Sequence, residues 1–175
     1  MGERGRRDAR RMAEWTAREL GCEAEDVFVA STGVIGEPLP MAKLRAGIPR
    51  VARRLRLEGL SDAAEAIRTT DTFAKTAGIT VRIGHRTVTL AGIAKGSGMI
   101  EPNMATMLSF LVTDAAVSKS YLRRLLREVA DETYNRVTVD GESSTSDTLL
   151  LLANGAAGHP RITGSGSPGA TALRR

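Results

Sequence analysis

The chemistry available to this sequence concentrates at Thr106. The segment KGSGMIEPNMATML, residues 95–108, places Gly96, Gly98, Pro102 and Asn103 ahead of the apolar run LSFLVTDA that begins at Leu108. Residues of those types impose a structured loop instead of a regular period. The loop therefore feeds directly into a strand, with Thr106 at the junction. A threonine there reads first as an ordinary β-former. It reads second as a nucleophile: a loop that strains the Ala105–Thr106 peptide lets the Thr106 hydroxyl attack the preceding carbonyl carbon, giving an ester that water cleaves. Thr106 then becomes a new N-terminus. Its α-amine, of reference pKa about 8, can take the proton from its own hydroxyl without a histidine.

Few other side chains compete for that role. The chain has two histidines, His85 and His159, both in turn-like text, and one cysteine, Cys22. Cys22 reads as a buried, inert thiol and not as half of a Cys–His nucleophile pair. The spacing of these residues matches no metal site, and no metal or organic cofactor is expected. The glycine pairs of GVIG and GSG lack a complete dinucleotide or phosphate-loop pattern. Nothing singles out two acids for glycoside chemistry. Lys95 by itself reads as an exposed lysine beside glycines.

The frame that must position Thr106 is a globular one. At 175 residues and 18.7 kDa, with 42% hydrophobic and 26% charged residues, the chain can bury roughly 70% of its unfolded surface. The net charge of +5 comes from RGRR, PRVARRLR and YLRRLLR. In helical text such arginines coat the solvent face, and six aromatics with no finger or RNA-binding signature argue against a nucleic-acid partner. The charge balance is compatible with a small anionic substrate. The densest apolar run, Leu149 to Gly158, is too short and glycine-rich to span a bilayer, so no membrane role is expected. The N-terminal MGERGRRDARR carries Glu3 and Asp8 and no apolar stretch follows, which argues against a secretory signal. Together with the single cysteine this favours a cytoplasmic location.

Along the chain, Ala9, Met12, Ala13, Thr16 and Leu20 form the stripe of a helix over 8–20, stopped at Gly21. DVFVAS, from Asp26, reads as a strand entering the loop TGVIGEPLP. Helical text follows in LRAGIPRVARRLR, broken at Gly47 and Pro49, and in SDAAEAIRT, capped by Ser61. ITVRIGHRTVTLAGIA alternates on both sides of GHR and predicts a hairpin. LSFLVTDA is a buried strand, and Ser118 caps a helix with Leu122, Leu125, Leu126 and Val129 opposite Arg123, Arg124 and Arg127. RVTV reads as a further strand, and TLLLLAN fits a strand or a helix, its bounded length favouring the strand. From His159 the glycines and prolines predict a loose tail, and the absence of a closing core element suggests part of a larger fold.

Several of these segments carry a resemblance. DARRMAE, FVASTGVIGEPLPM, TTDTFAK, AGIAKGSGMIEPNMATML, LVTDA, VTVDGESSTSDT and LLLLANGAAG resemble the glutamate N-acetyltransferase family, also called ornithine acetyltransferase, over about residues 5 to 160. The resemblance implies a mixed α/β fold of layered mixed sheets covered by helices, with strands from both sides of a self-cleavage point in shared sheets. It implies cleavage between Ala105 and Thr106, and Thr106 as the nucleophile acetylated by N2-acetyl-L-ornithine and deacetylated by L-glutamate. Many relatives also use acetyl-CoA. The family's oxyanion pair matches Thr32 and Gly33 of STGVIG, which would otherwise read as a plain turn; a glycine N–H and an adjacent hydroxyl are suitable donors for developing oxygen charge. Substrate contacts match Lys95, Thr106 and a threonine of TTDT, Thr69 first and Thr70 second. Lys95 could hold the α-carboxylate common to glutamate and ornithine derivatives.

The same resemblance makes residues 1–158 a partial domain, with 1–105 in the first product chain, 106–158 in the second and 159–175 as the tail, incomplete at both ends. It implies association of the two cleavage products, as a heterotetramer in the full-length family. Ala74 stands where relatives have proline, and Ser146 where they have asparagine. Family residues expected beyond this sequence are a substrate-contacting glutamate and C-terminal polar groups. Two alternatives stand beside the acetyltransferase reading: an N-terminal-nucleophile amide hydrolase that passes the acyl group to water, and a structural remnant without turnover.

Overall fold

A computed structural model describes residues 2–98, 107–142 and 144–174. The chain divides after Gly59 into two compact units.

The first unit is helical. Helix α1 (Gly2–Leu20) buries Ala13 and Ala17, and Gly21 ends it at φ 69°. It packs with α2 (Met41–Ala52). Gly47 and Pro49 do not break α2 as expected. Pro49 lies in the last turn and lacks an N–H to donate back along the helix, but its carbonyl still accepts from the Arg53 N–H at 3.2 Å and the helix runs on to Ala52. The strand expected in DVFVAS is also absent. Ala24–Asp26 is a 3-10 turn, and the following backbone is irregular with Phe28 exposed. A strand needs a ladder partner, and no strand occurs among the described residues of this unit. Cys22 is exposed, not buried as its residue type suggested.

The second unit, from Leu60, contains a four-stranded mixed sheet of order β1-β2-β3-β4. Helix α3 (Gly59–Ala66) begins two residues before Ser61, which is therefore inside the helix and not its cap. Strands β1 (Lys75–Ile83) and β2 (Arg86–Lys95) form the predicted hairpin, longer at its open end, around Gly84 at φ 61°. Strand β3 (Leu108–Thr113) runs antiparallel to β2, and β4 (Thr148–Ala153) runs parallel to β3. Strands from before and after the Ala105–Thr106 bond thus share one sheet, as expected.

A parallel pair requires a crossover. Helix α4 (Lys119–Glu132) provides it, and the Ser118 Oγ accepts the Tyr121 N–H at 3.4 Å, as the capping pattern predicts. Tyr121 and Leu125 of α4 join Ile83, Val88, Ala115, Ile162 and Ala170 in the core. RVTV is not a strand. A 3-10 turn occupies Tyr134–Arg136, and Val137 and Val139 are exposed without a ladder.

The expectation of a loose tail fails for the described residues after His159. Ile162 is fully buried, its N–H donates to Ala116 O at 2.9 Å, and its carbonyl accepts from Ser118 N. His159 Nε2 accepts the Ala116 N–H at 3.0 Å while Nδ1 meets Pro160 O at 2.8 Å, so the neutral ring carries its proton on Nδ1. Helix α5 (Ala170–Arg174) adds Ala170, Ala172 and Leu173 to the core. Few apolar residues are enough here because two backbone bonds hold Ile162 in place.

Candidate active site

Strand direction gathers the candidate residues. The end of β2 lies beside the starts of β3 and β4, so Lys95 pairs with Leu108 and Leu108 with Thr148. Met107 and Asp147, one residue before each strand, flank the same end, and the Thr148 N–H donates to Met107 O at 2.9 Å.

Lys95 is 2% exposed, which overturns its reading as an exposed lysine. Its Nζ donates to Thr69 Oγ1 at 3.2 Å, bringing together two of the residues proposed to contact substrate. Thr70, the second choice, is exposed and exchanges a 2.7 Å hydrogen bond with Ser97 Oγ. Ala105 and Thr106 lie outside the described residues. Thr32 and Gly33 belong to the first unit, in irregular backbone ahead of a turn closed by the Glu37 N–H on Val34 O.

Two carboxylates not singled out by sequence reasoning organise this end of the sheet. Asp71, buried within TTDT, accepts the Lys75 ammonium and, at 2.8 Å, the Gly96 N–H on Oδ1, and the Thr69 N–H at 3.4 Å on Oδ2. Burial alone would raise its pKa. The Lys75 hydrogen bond, the Gly96 and Thr69 N–H groups and the Lys75 charge outweigh burial and bring it to about 2. Arg68 clamps the Asp71 carbonyl through Nη2 at 2.9 Å. Asp71 thereby ties the TTDT segment to the residue following Lys95.

Asp147 behaves oppositely. Its Oδ1 accepts the Met107 N–H at 2.6 Å, and its Oδ2 is buried without a hydrogen-bond partner among the described residues. Burial raises its pKa, opposed by the Met107 N–H and the positive charge of Lys95. Both aspartates occupy the middle of Ser/Thr-rich motifs, TTDT and STSDT, just ahead of strands; a single acid in such a run was the available signal.

The fold and this cluster define a mixed α/β protein whose sheet end assembles a buried lysine, hydroxyls and two carboxylates beside a loop-to-strand junction. The chain belongs to the ArgJ family, which it matches over residues 1–174. It is 58% identical over 161 residues to the arginine biosynthesis bifunctional protein ArgJ of Symbiobacterium thermophilum, covering 92% of this chain and 40% of that protein. The protein of the same description from Geobacter sulfurreducens is 50% identical over 169 residues, covering 97% and 43%. The crystal structure of the Bacillus halodurans arginine biosynthesis bifunctional protein superposes with a TM-score of 0.53 at 44% identity, over 59% of this chain and 55% of that one. The chain spans about two fifths of the length of the full relatives it matches. No described helix is long and apolar enough to cross a membrane.

Proposed function

We propose that this chain carries the self-cleaving, acyl-accepting part of a glutamate N-acetyltransferase. The observation that carries the reading is the hydrogen bond from the buried Lys95 to Thr69 at the sheet end where Met107, the residue bonded to Thr106, enters β3. The Thr106 hydroxyl attacks the Ala105 carbonyl carbon, the Ala105–Thr106 C–N bond breaks as the Thr106 amine is protonated, and water hydrolyses the ester to a free Ala105 carboxylate. The freed α-amine is then the base for the hydroxyl. Attack on the acetyl carbon of N2-acetyl-L-ornithine releases ornithine and leaves an acetyl-Thr106 ester, which the amine of L-glutamate takes up in a second displacement. Acetyl-CoA would enter as an alternative donor at the first displacement.

In this scheme Thr32 and Gly33 stabilise the tetrahedral oxyanion, and Lys95 and Thr69 receive the donor's carboxylate and amide. The two product chains stay together because β2 and β3, on either side of the cut, are hydrogen-bonded neighbours. The protein acts in the cytoplasm, where both amino acids are available.

Intact-mass spectrometry tests the reading directly. Purified chain is expected to yield pieces ending at Ala105 and starting at Thr106, and the second piece is expected to gain one acetyl group on incubation with N2-acetyl-L-ornithine and lose it to glutamate as N-acetylglutamate. Persistent uncut chain removes the self-cleavage claim. Free acetate in place of acetylglutamate makes the protein a hydrolase.

A further inference from the structure

We propose that Asp147 is a positioning residue for the Thr106 nucleophile, acting through the backbone of Met107. The Met107 nitrogen is covalently bound to the carbonyl carbon of Thr106, so the hydrogen bond to Asp147 Oδ1 holds the peptide unit on the C-terminal side of the nucleophile. The bond is short, 2.6 Å. Forty residues separate the two partners, and the parallel β3–β4 pairing joins them, with the Thr148 N–H on Met107 O fixing the other side of the same residue. Met107 is thus gripped through both its N–H and its carbonyl from the start of one strand.

The second carboxyl oxygen of Asp147 is buried and without a hydrogen-bond partner among the described residues, so the contact to Met107 is the one this side chain makes there. Burial raises its proton affinity, opposed by the Met107 N–H and the nearby Lys95 charge. A hold on both the N–H and the carbonyl of the residue next to the proposed nucleophile fits a role in orientation.

The proposal rests on the self-cleavage reading, and the experiment separates the two. Cleavage time courses by intact mass would compare the unsubstituted chain with Asp147→Ala, Asp147→Asn and Thr106→Ala. Hydrogen exchange at the Met107 amide would be followed with each Asp147 variant on the uncleavable Thr106→Ala background. Asp147→Ala is expected to slow cleavage about 100-fold, the loss typical of an ångström-scale misplacement of reacting groups, and to deprotect the Met107 amide. Asp147→Asn keeps an acceptor oxygen and is expected to restore cleavage to within about 10-fold with Met107 protected, a rescue that unfolding of the Ala variant would not mimic. Cleavage of Asp147→Ala at the unsubstituted rate overturns the Asp147 proposal and leaves self-cleavage standing. So does an Asn variant as slow as the Ala variant despite a protected Met107 amide. Absence of cleavage in the unsubstituted chain overturns the self-cleavage reading and this proposal with it.

Discussion

The Lys95 ammonium donates a hydrogen bond to the Thr69 hydroxyl across 3.2 Å, joining residues 26 positions apart. Lys95 closes β2, and Thr69 precedes the Asp71 whose carboxylate accepts the next backbone N–H, that of Gly96. The pairing is therefore anchored twice, by side chain and by backbone. An ammonium removed from water in this way gains by receiving a substrate carboxylate, which would supply the acceptor that solvent no longer provides.

Lys95→Met keeps the length of the side chain and removes the cation. Half-maximal acetylation of Thr106 is expected to require about 10- to 100-fold more N2-acetyl-L-ornithine, the equivalent of one charged hydrogen bond. Titration of donor against acetylated second chain measures it, and an unchanged midpoint assigns the carboxylate to another group.

Acid should expose the contribution of Asp71. Its pKa falls from the ordinary 3.8 to about 2 on folding, so the unfolded chain takes up its proton first as pH drops. The associated stability is complete above about pH 4 and is lost toward pH 2, amounting to about 2 kcal/mol. Denaturant unfolding from pH 7 to pH 2 is expected to show this decline, and Asp71→Asn to flatten it while lowering stability at pH 7.

Thr32→Ala tests the oxyanion assignment. Loss of one donor is expected to slow acetylation of Thr106 by about 100-fold or more with little change in unfolding, because Thr32 is only half-buried in irregular backbone. An unaltered acetylation rate removes Thr32 from the oxyanion hole.

Two glycines near the C-terminus separate strain from packing. Gly158 has φ 69° with open space at its Cβ position, whereas Gly169 has φ 85° and a Cβ there would stand 2.3 Å from Ile83 Cγ2. Gly158→Ala is expected to cost about 1–2 kcal/mol through left-handed backbone alone. Gly169→Ala should cost about 1–3 kcal/mol more, through overpacking of the core. Thermal unfolding of both variants checks the order, and equal losses would show that α5 does not seat against Ile83.

The parts legible in the sequence were those written in local geometry. The β1–β2 hairpin follows from alternation around Gly84, α4 from its stripe and the Ser118 cap, and β3 and β4 from bounded apolar runs; each signal is complete within a few residues. The family resemblance was legible in the same way. Tertiary structure decided what those signals could not contain. DVFVAS and RVTV have strand-like composition but find no ladder, and a strand is defined by its neighbour. Ile162 and His159 looked like tail because burial belongs to the groove that receives them, formed by backbone near Ala116 and Ser118. Lys95, Asp71 and Asp147 looked like isolated charges on polar segments. The antiparallel β1–β2 and β2–β3 pairs and the parallel β3–β4 pair carry their segments to one end of a sheet, where loss of water makes each of their hydrogen bonds count.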